Sequence, residues 1–207
     1  PRISQWLHKV KYWERFEGLC RILSHHQPEL ALIFCQTKRD VDELYRQLHE
    51  RGYKVDALHG DYSQNQRDQV MQKFRNHELD LLIATDLAAR GIDSKLDMVV
   101  NYNVPENPET YVHRIGRTGR AGREGLAISF VSPEDYRQLY AIEKLIKTRL
   151  QYRDLPTREE LKSHRQDFLQ KRIDDGIKDV ESADYVELAA KLLESESPLE
   201  MLAATLR

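Results

Sequence analysis

Arginine recurs every third residue in His113-Arg114-Ile115-Gly116-Arg117-Thr118-Gly119-Arg120-Ala121-Gly122-Arg123, and glycine keeps the same period at 116, 119 and 122. Arginine carries a fixed charge on a planar fork that meets two phosphate oxygens at once. Glycine breaks helical propensity and lets the backbone pass close to a neighbour. A tight loop aiming several arginines one way can neutralise charge that develops on a transferring phosphoryl group. The competing reading is a solvated basic turn or a disordered segment. The stretch follows a helical pattern and leads into an apolar run, so it is expected to be folded in place.

Three more loops carry polar groups that suit a sugar–phosphate chain. In Ala84-Thr85-Asp86-Leu87-Ala88-Ala89-Arg90-Gly91-Ile92-Asp93, Thr85 can donate its hydroxyl to a phosphate or a 2′-OH. Ala88 and Ala89 are expected to keep the surface open, and Asp93 can accept from sugar hydroxyls. The same stretch reads equally well as a helix start capped by Thr85 or Asp86. In His59-Gly60-Asp61-Tyr62-Ser63-Gln64-Asn65-Gln66-Arg67, Ser63 and Gln66 fit a capping box. That leaves a helix N-terminus beside Gln64 and Arg67, which suits a phosphate. In Phe34-Cys35-Gln36-Thr37-Lys38-Arg39, Thr37 reads first as a helix cap, a role compatible with touching an incoming phosphate.

These loops need a frame. Short apolar runs at 30–35, 53–58, 80–84, 98–102 and 126–131 read as buried strands. Helical patterns at 40–50, 64–75 and 109–115 lie between them. A further helix is predicted over 133–147, with Ser132 as N-cap and Pro133 at its first position, and Gly52 is read as the residue just past the first helix. Strand–helix alternation predicts an α/β fold, a parallel sheet sandwiched by helices. Ligands in such sheets bind beyond the carboxyl ends of the strands, which directs attention to 36–39, 59–61, 85–93 and 103–105.

Composition narrows the class. The chain has 207 residues, 32% of them charged, and no apolar run approaching the ~20 residues that span a bilayer. Residues 1–10 are polar and basic, unlike a signal peptide. No membrane association is expected, and Cys20 and Cys35 are expected to stay reduced in a cytoplasmic setting. Residues 151–207 hold nine basic and thirteen acidic residues, a net −4 against −2 for the whole chain, so residues 1–150 carry +2. Nucleic acid contact must then come from local basic loops of the first part.

Segments 31–37, 59–67, 84–93 and 113–120 resemble, in order and spacing, the later motifs of DEAD-box RNA helicases, with residues 1–148 covered. The resemblance implies a RecA-like domain of an ATP-dependent RNA helicase, with RNA as partner and ATP with Mg²⁺ as cofactor. It implies that Asp93 contacts the ATP ribose with Gly91 beside it, and that Arg117 and Arg120 reach the γ-phosphate. His113 would link the nucleotide side to the RNA side. Arg67, Thr85 and Arg90 would contact the RNA backbone, with Thr37, Gly60 and Gln64 nearby. Two departures stand out. The loop Ser94-Lys95-Leu96 is one residue shorter than is usual, and Asn103 stands where the family commonly has Asp before Val-Pro.

Neither G-x-x-x-x-G-K-[ST] nor Asp-Glu-Ala-Asp occurs in the sequence. The phosphate cradle, the Mg²⁺ ligand and the catalytic base are therefore expected on an N-terminal RecA-like domain. No metal ligands are assigned in this chain, which begins at Pro1 and reads as a piece of a longer protein. Alone it is expected to hydrolyse ATP negligibly. Two other classes compete. A DNA translocase is disfavoured because DNA-acting relatives usually open the arginine motif with Gln. A purely assembling module is disfavoured by the presence of Arg117, Arg120 and Asp93.

The domain boundary is placed at 150. Residues 151–207 show no strand-like run and are read as a small all-α module. They resemble, more weakly, the helical extension of bacterial cold-shock-type DEAD-box proteins, which in some relatives makes a homodimer. Tyr185, Leu188, Leu192 and Leu193 would form one apolar stripe in helical register. A stripe too rich to bury alone favours a homodimer over a cap on its own domain.

Overall fold

The computed structural model describes residues 3–92, 95–119, 124–178, 190 and 197–200. Seven parallel strands form one sheet: β1 (Ile3–Lys9), β2 (Ala31–Phe34), β3 (Val55–Leu58), β4 (Leu81–Ala84), β5 (Met98–Asn101), β6 (Gly125–Val131) and β7 (Gln151–Tyr152). Their order across the sheet is β3-β4-β2-β5-β6-β1-β7. The helices are α1 (Arg15–His26), α2 (Lys38–Glu50), α3 (Gln64–Arg75), α4 (Pro108–Ile115), α5 (Tyr136–Ile146) and α6 (Arg158–Lys178).

The period of two in the strands sorts the core into two faces. Ala31, Ile33, Leu81, Ile83, Met98 and Val100 pack with Leu19 and Ile22 of α1 and Val41, Leu44 and Leu48 of α2. Their neighbours Leu32, Phe34, Leu82 and Val99 face Val70, Met71 and Phe74 of α3. On that second face Leu7, Ala127 and Val131 meet Tyr111 and Ile115 of α4 and Leu139 and Ile142 of α5. The fold is thus the α/β arrangement expected from the alternation, a parallel sheet sandwiched by helices.

Local chemistry sets the helix starts next to the loops of interest. Thr37 caps α2 and accepts from the Asp40 N–H at 3.1 Å, while Asp40 returns the bond to the Thr37 N–H. Ser63 and Gln66 form the expected capping box of α3. Ser132 caps a single 3₁₀ turn, 133–135, through Asp135 before α5 begins. Gly52 follows α2 with φ +83°, a left-handed conformation that glycine adopts without the strain a side chain would bring.

Two strands and a helix escaped the sequence. β1 runs through Ser4, Gln5, His8 and Lys9, so its apolar content is too thin for a buried strand, yet it pairs along its whole length with β6. β7 has two residues and pairs with β1, so the reading of 151–207 as free of strands is corrected. A two-residue edge strand has no periodicity to detect. α1 buries Leu19, Ile22 and Leu23 on the spacing of a helical face.

The described chain divides into two compact units, Pro1–Leu155 and Pro156–Arg207. In the second, Thr157 caps α6: its hydroxyl accepts from the Glu160 N–H at 3.1 Å, and the Glu160 carboxylate accepts from the Thr157 N–H at 2.7 Å. Tyr185, Leu188, Leu192 and Leu193 lie outside the described residues. Among the described residues no helix is long and apolar enough to cross a membrane. Cys20 and Cys35 are buried free thiols, and burial pushes both thiols up from their ordinary value, so neither is a ready nucleophile.

Candidate nucleotide and RNA half-site

All strands run one way, so the loops after β2, β3, β4 and β5 emerge at one edge of the sheet, and side chains tie them together there. Lys38, after β2, bonds Asp61, after β3, at 2.7 Å. The Gln36 N–H donates to Asn103 Oδ1 at 3.2 Å, and the Gln36 amide to Glu106 at 3.2 Å. Arg67, on the first turn and a half of α3, donates to the Arg90 carbonyl at 2.5 Å. Thr37, Gly60, Gln64 and Arg90 are exposed, and Arg67 and Thr85 are half-buried. Gln64 bonds Asp68 at 2.8 Å, and nothing stands over Gly60.

Residues 85–91 are a chain of turns rather than a capped helix, and the Ala89 N–H donates to the Thr85 carbonyl at 3.0 Å. The expectation that Ala88 and Ala89 hold the surface open is corrected. Both are buried against the Phe34, Ile92 and Val99 layer, because the turn rolls its small residues inward. Leu87, 64% exposed, and Arg90 make the outer surface instead. Gly91 ends the turn at φ +79° with open space where a Cβ would stand. Asp93 lies outside the described residues.

The arginine-rich stretch divides. Arg114 does not aim outward; it is buried and forms a floor. Its guanidinium meets Asp86 bidentately at 2.7 and 2.8 Å, and bonds Asn101 Oδ1 at 3.1 Å and the Asn103 carbonyl at 2.8 Å. It also lies 5.0 Å from the Phe34 ring centroid. This network of Arg114, Asp86 and Asn101 was missed at the level of sequence. The only signal was an Asp just past a strand and an Arg on the helix of a motif whose other arginines drew attention.

Arg117, half-buried, donates to the Ile92 carbonyl at 3.0 Å, which sets its stem beside the 85–91 turn. His113 is exposed on α4 one turn earlier. Arg90, His113, Arg114 and Arg117 with Asp86 and Thr110 line a cleft of about 470 Å³. Arg120 lies outside the described residues. Gly119, at φ +68°, approaches the protein itself: a Cβ there would meet the Ile3 side chain at 2.7 Å. Its neighbour Thr118 is buried and donates to the Leu96 carbonyl at 2.6 Å.

A twisted parallel sheet with helices on both faces, and cationic loops at its carboxyl edge, defines the RecA-like class of α/β domain. The chain belongs to the helicase conserved C-terminal domain family, whose model matches residues 14–122. It is 44% identical over 206 residues, 99% of its length, to the ATP-dependent RNA helicase CshA of Listeria monocytogenes, of which it covers 40%. It is similar in structure to a DEAD box protein of Methanococcus jannaschii, with TM-score 0.69 and 46% identity over 73% of this chain and 42% of that one. It is likewise similar to Saccharomyces cerevisiae Dbp5 bound to RNA and ADP BeF3, with TM-score 0.72 and 35% identity over 79% of this chain and 45% of that one. The resemblance to DEAD-box proteins is thereby borne out. The chain spans about two fifths of the length of the curated relative it matches.

Proposed function

We propose that this chain is the C-terminal half of the motor of an ATP-dependent RNA helicase, binding the RNA backbone and completing an ATP site held by an N-terminal RecA-like domain. The observation that carries the reading is the Arg67 to Arg90 bond beside the Arg90–His113–Arg117 cleft. It sets groups suited to RNA and groups suited to a nucleotide on adjoining sides of one turn. The similarity to Dbp5, a structure that contains RNA and ADP BeF3, supports the same assignment.

The donor set fits a polyphosphate. Arg117 and His113 line one open cleft with Arg90 on its RNA side, whereas Arg114 is committed to Asp86. ATP when bound supplies the phosphoryl transfer that powers local opening of an RNA duplex. Arg117 and Arg120 hold and neutralise the γ-phosphate, and Asp93 holds the ribose with Gly91 beside it. His113 transmits the state of the cleft toward Thr85 and Arg90. The sequence carries neither G-x-x-x-x-G-K-[ST] nor Asp-Glu-Ala-Asp, so the Mg²⁺ ligand is assigned to the other domain. The chain alone is then an incomplete enzyme.

Thr37, Gly60, Gln64, Arg67, Thr85 and Arg90 contact sugar and phosphate, so affinity is nearly independent of sequence. Arg67→Ala is expected to weaken binding equally for unrelated single-stranded RNAs and to lower the log–log salt slope by about one. Arg67→Lys keeps the slope. Anisotropy titrations at several salt concentrations test this. Loss confined to one sequence would show base reading and refute the assignment.

Residues 151–207 are proposed to join two copies. The support is an apolar content too large for a short acidic segment, with Leu199 81% and Ile173 40% exposed. Light scattering is expected to give a dimer mass for the whole chain and a monomer mass for a chain ending at Leu155, which keeps β7. A monomer at high concentration for the whole chain would refute the dimer and leave the segment as an intramolecular cap.

A further inference from the structure

An aromatic face lies beside the Thr37 turn and outside every role assigned above. Trp13 is 75% exposed, Tyr12 58% and Tyr136 45%. A single exposed ring needs no explanation, but these three line one cleft, and contiguous apolar patches mark binding surfaces. The Tyr12 hydroxyl donates to Asp40 at 3.3 Å, in the first turn of α2, so the face is anchored to the helix that Thr37 caps. Behind Trp13 opens a cleft of about 710 Å³ whose walls include Lys9, Lys11, Gln36 and Tyr136. Gln36 belongs to the loop after β2, so the cleft continues the edge described above.

Two cations sit among these rings. The Lys11 ammonium is 5.4 Å from the Trp13 ring centroid, and that of Lys9 is 4.7 Å from Tyr152 and 5.9 Å from Tyr136. Among the described residues neither lysine has a carboxylate in an ion pair. The nearby acids are mostly committed: Glu14 accepts from the Lys11 N–H, and Asp135 accepts from Ser132 and Arg15. Glu14 and Glu134 are both exposed, and among the described residues only Asp135 of the cleft's three carboxylates faces a guanidinium. Faces of aromatic rings interleaved with ammonium groups bind single-stranded nucleic acid, because every base stacks and every phosphate needs a counter-charge. Aromatic anchors also serve protein partners. Continuity with the Thr37 and Gln36 loop favours RNA.

We propose that Trp13 and Tyr136, flanked by Lys9 and Lys11, form a stacking platform for bases of single-stranded RNA running on from the Thr37 side. The platform rests on the RNA-binding reading given above. It adds contact with bases to a site otherwise confined to the backbone, without reading their edges.

The chain has two tryptophans, Trp6 and Trp13, so Trp6→Phe leaves Trp13 as sole reporter. Titration with an oligouridylate is expected to quench Trp13 emission in step with binding followed by anisotropy. Trp13→Ala should weaken binding about 10-fold, within the range for losing one stacked base, while Trp13→Phe recovers most of it. An abasic oligomer should keep its sensitivity to Arg67→Ala but quench nothing. If binding depends on Arg67 while Trp13 emission is unchanged and Trp13→Ala lies within twofold of the parent, the platform is refuted. The backbone reading would then survive, and the face would be left for a protein partner. If the chain binds no RNA, both readings fall.

Discussion

When this chain is joined to an N-terminal RecA-like domain, Arg120→Ala is expected to lower RNA-stimulated ATP turnover by about 10³–10⁵-fold, the worth of an arginine finger in phosphoryl transfer. Arg117→Lys should fail almost as badly. Lysine has all its donors on one nitrogen and cannot hold the Ile92 carbonyl while presenting a planar fork to a phosphate, whereas Arg117 spans from Ile92 toward the cleft. Steady-state phosphate release at saturating RNA measures both, with thermal unfolding as the control for folding. The effect should fall on turnover rather than on RNA affinity, because the loss is of charge stabilisation as the phosphoryl group moves. Turnover within a few-fold of the parent in both variants would contradict the role.

The second large effect concerns stability. Asp86→Ala is expected to cost about 3 kcal/mol, the lower end of the ~3–5 kcal/mol seen when a buried ion pair loses one partner. The discount follows from geometry: the Arg114 side chain is 3% exposed, that of Asp86 44%. Removing Asp86 strands a buried guanidinium with only the neutral oxygens of Asn101 and Asn103 to face. Removing Arg114 instead leaves a carboxylate that water can reach, so Arg114→Met should cost less. Urea unfolding of the three proteins tests the ranking. A change below ~1 kcal/mol for Asp86→Ala would show that the pair is not what holds the floor of the cleft.

The readable parts of this fold are those where one physical demand dominates. β2, β3, β4, β5 and β6 are covered on both faces, so their apolar runs stand out. Caps at Thr37, Ser63 and Ser132 announce themselves because a single side chain must satisfy a helix end. β1 was hidden because its polar residues belong to a strand near the sheet's rim, and β7 because two residues carry no pattern. Within the candidate site the residue types were legible, but their directions were not. Arg114 and Arg117 share a motif, yet Arg114, on α4, turns inward to Asp86 while Arg117, in the turn past the end of α4, reaches the Ile92 carbonyl at the cleft wall. Ala88 and Ala89 also face inward, since tertiary packing decides which side of a turn is wet.

The place of β1 in the sheet bears on how the protein is made. Ile3 pairs with Gly125 and Lys9 with Val131, so β1, once synthesised, has no main neighbour until more than 120 further residues have followed. At ~5–20 residues per second, that is a wait on the order of ten seconds. Meanwhile β2, β3 and β4 can already assemble with α2 and α3, since their pairings lie closer together in the chain. The nascent domain therefore passes through a stage with the edge of β5 or β6 open and a half-polar strand waiting beside it. The serine, glutamine, histidine and lysine that hid β1 from a reading of the sequence are then useful, because they keep that waiting strand from pairing with the wrong chain.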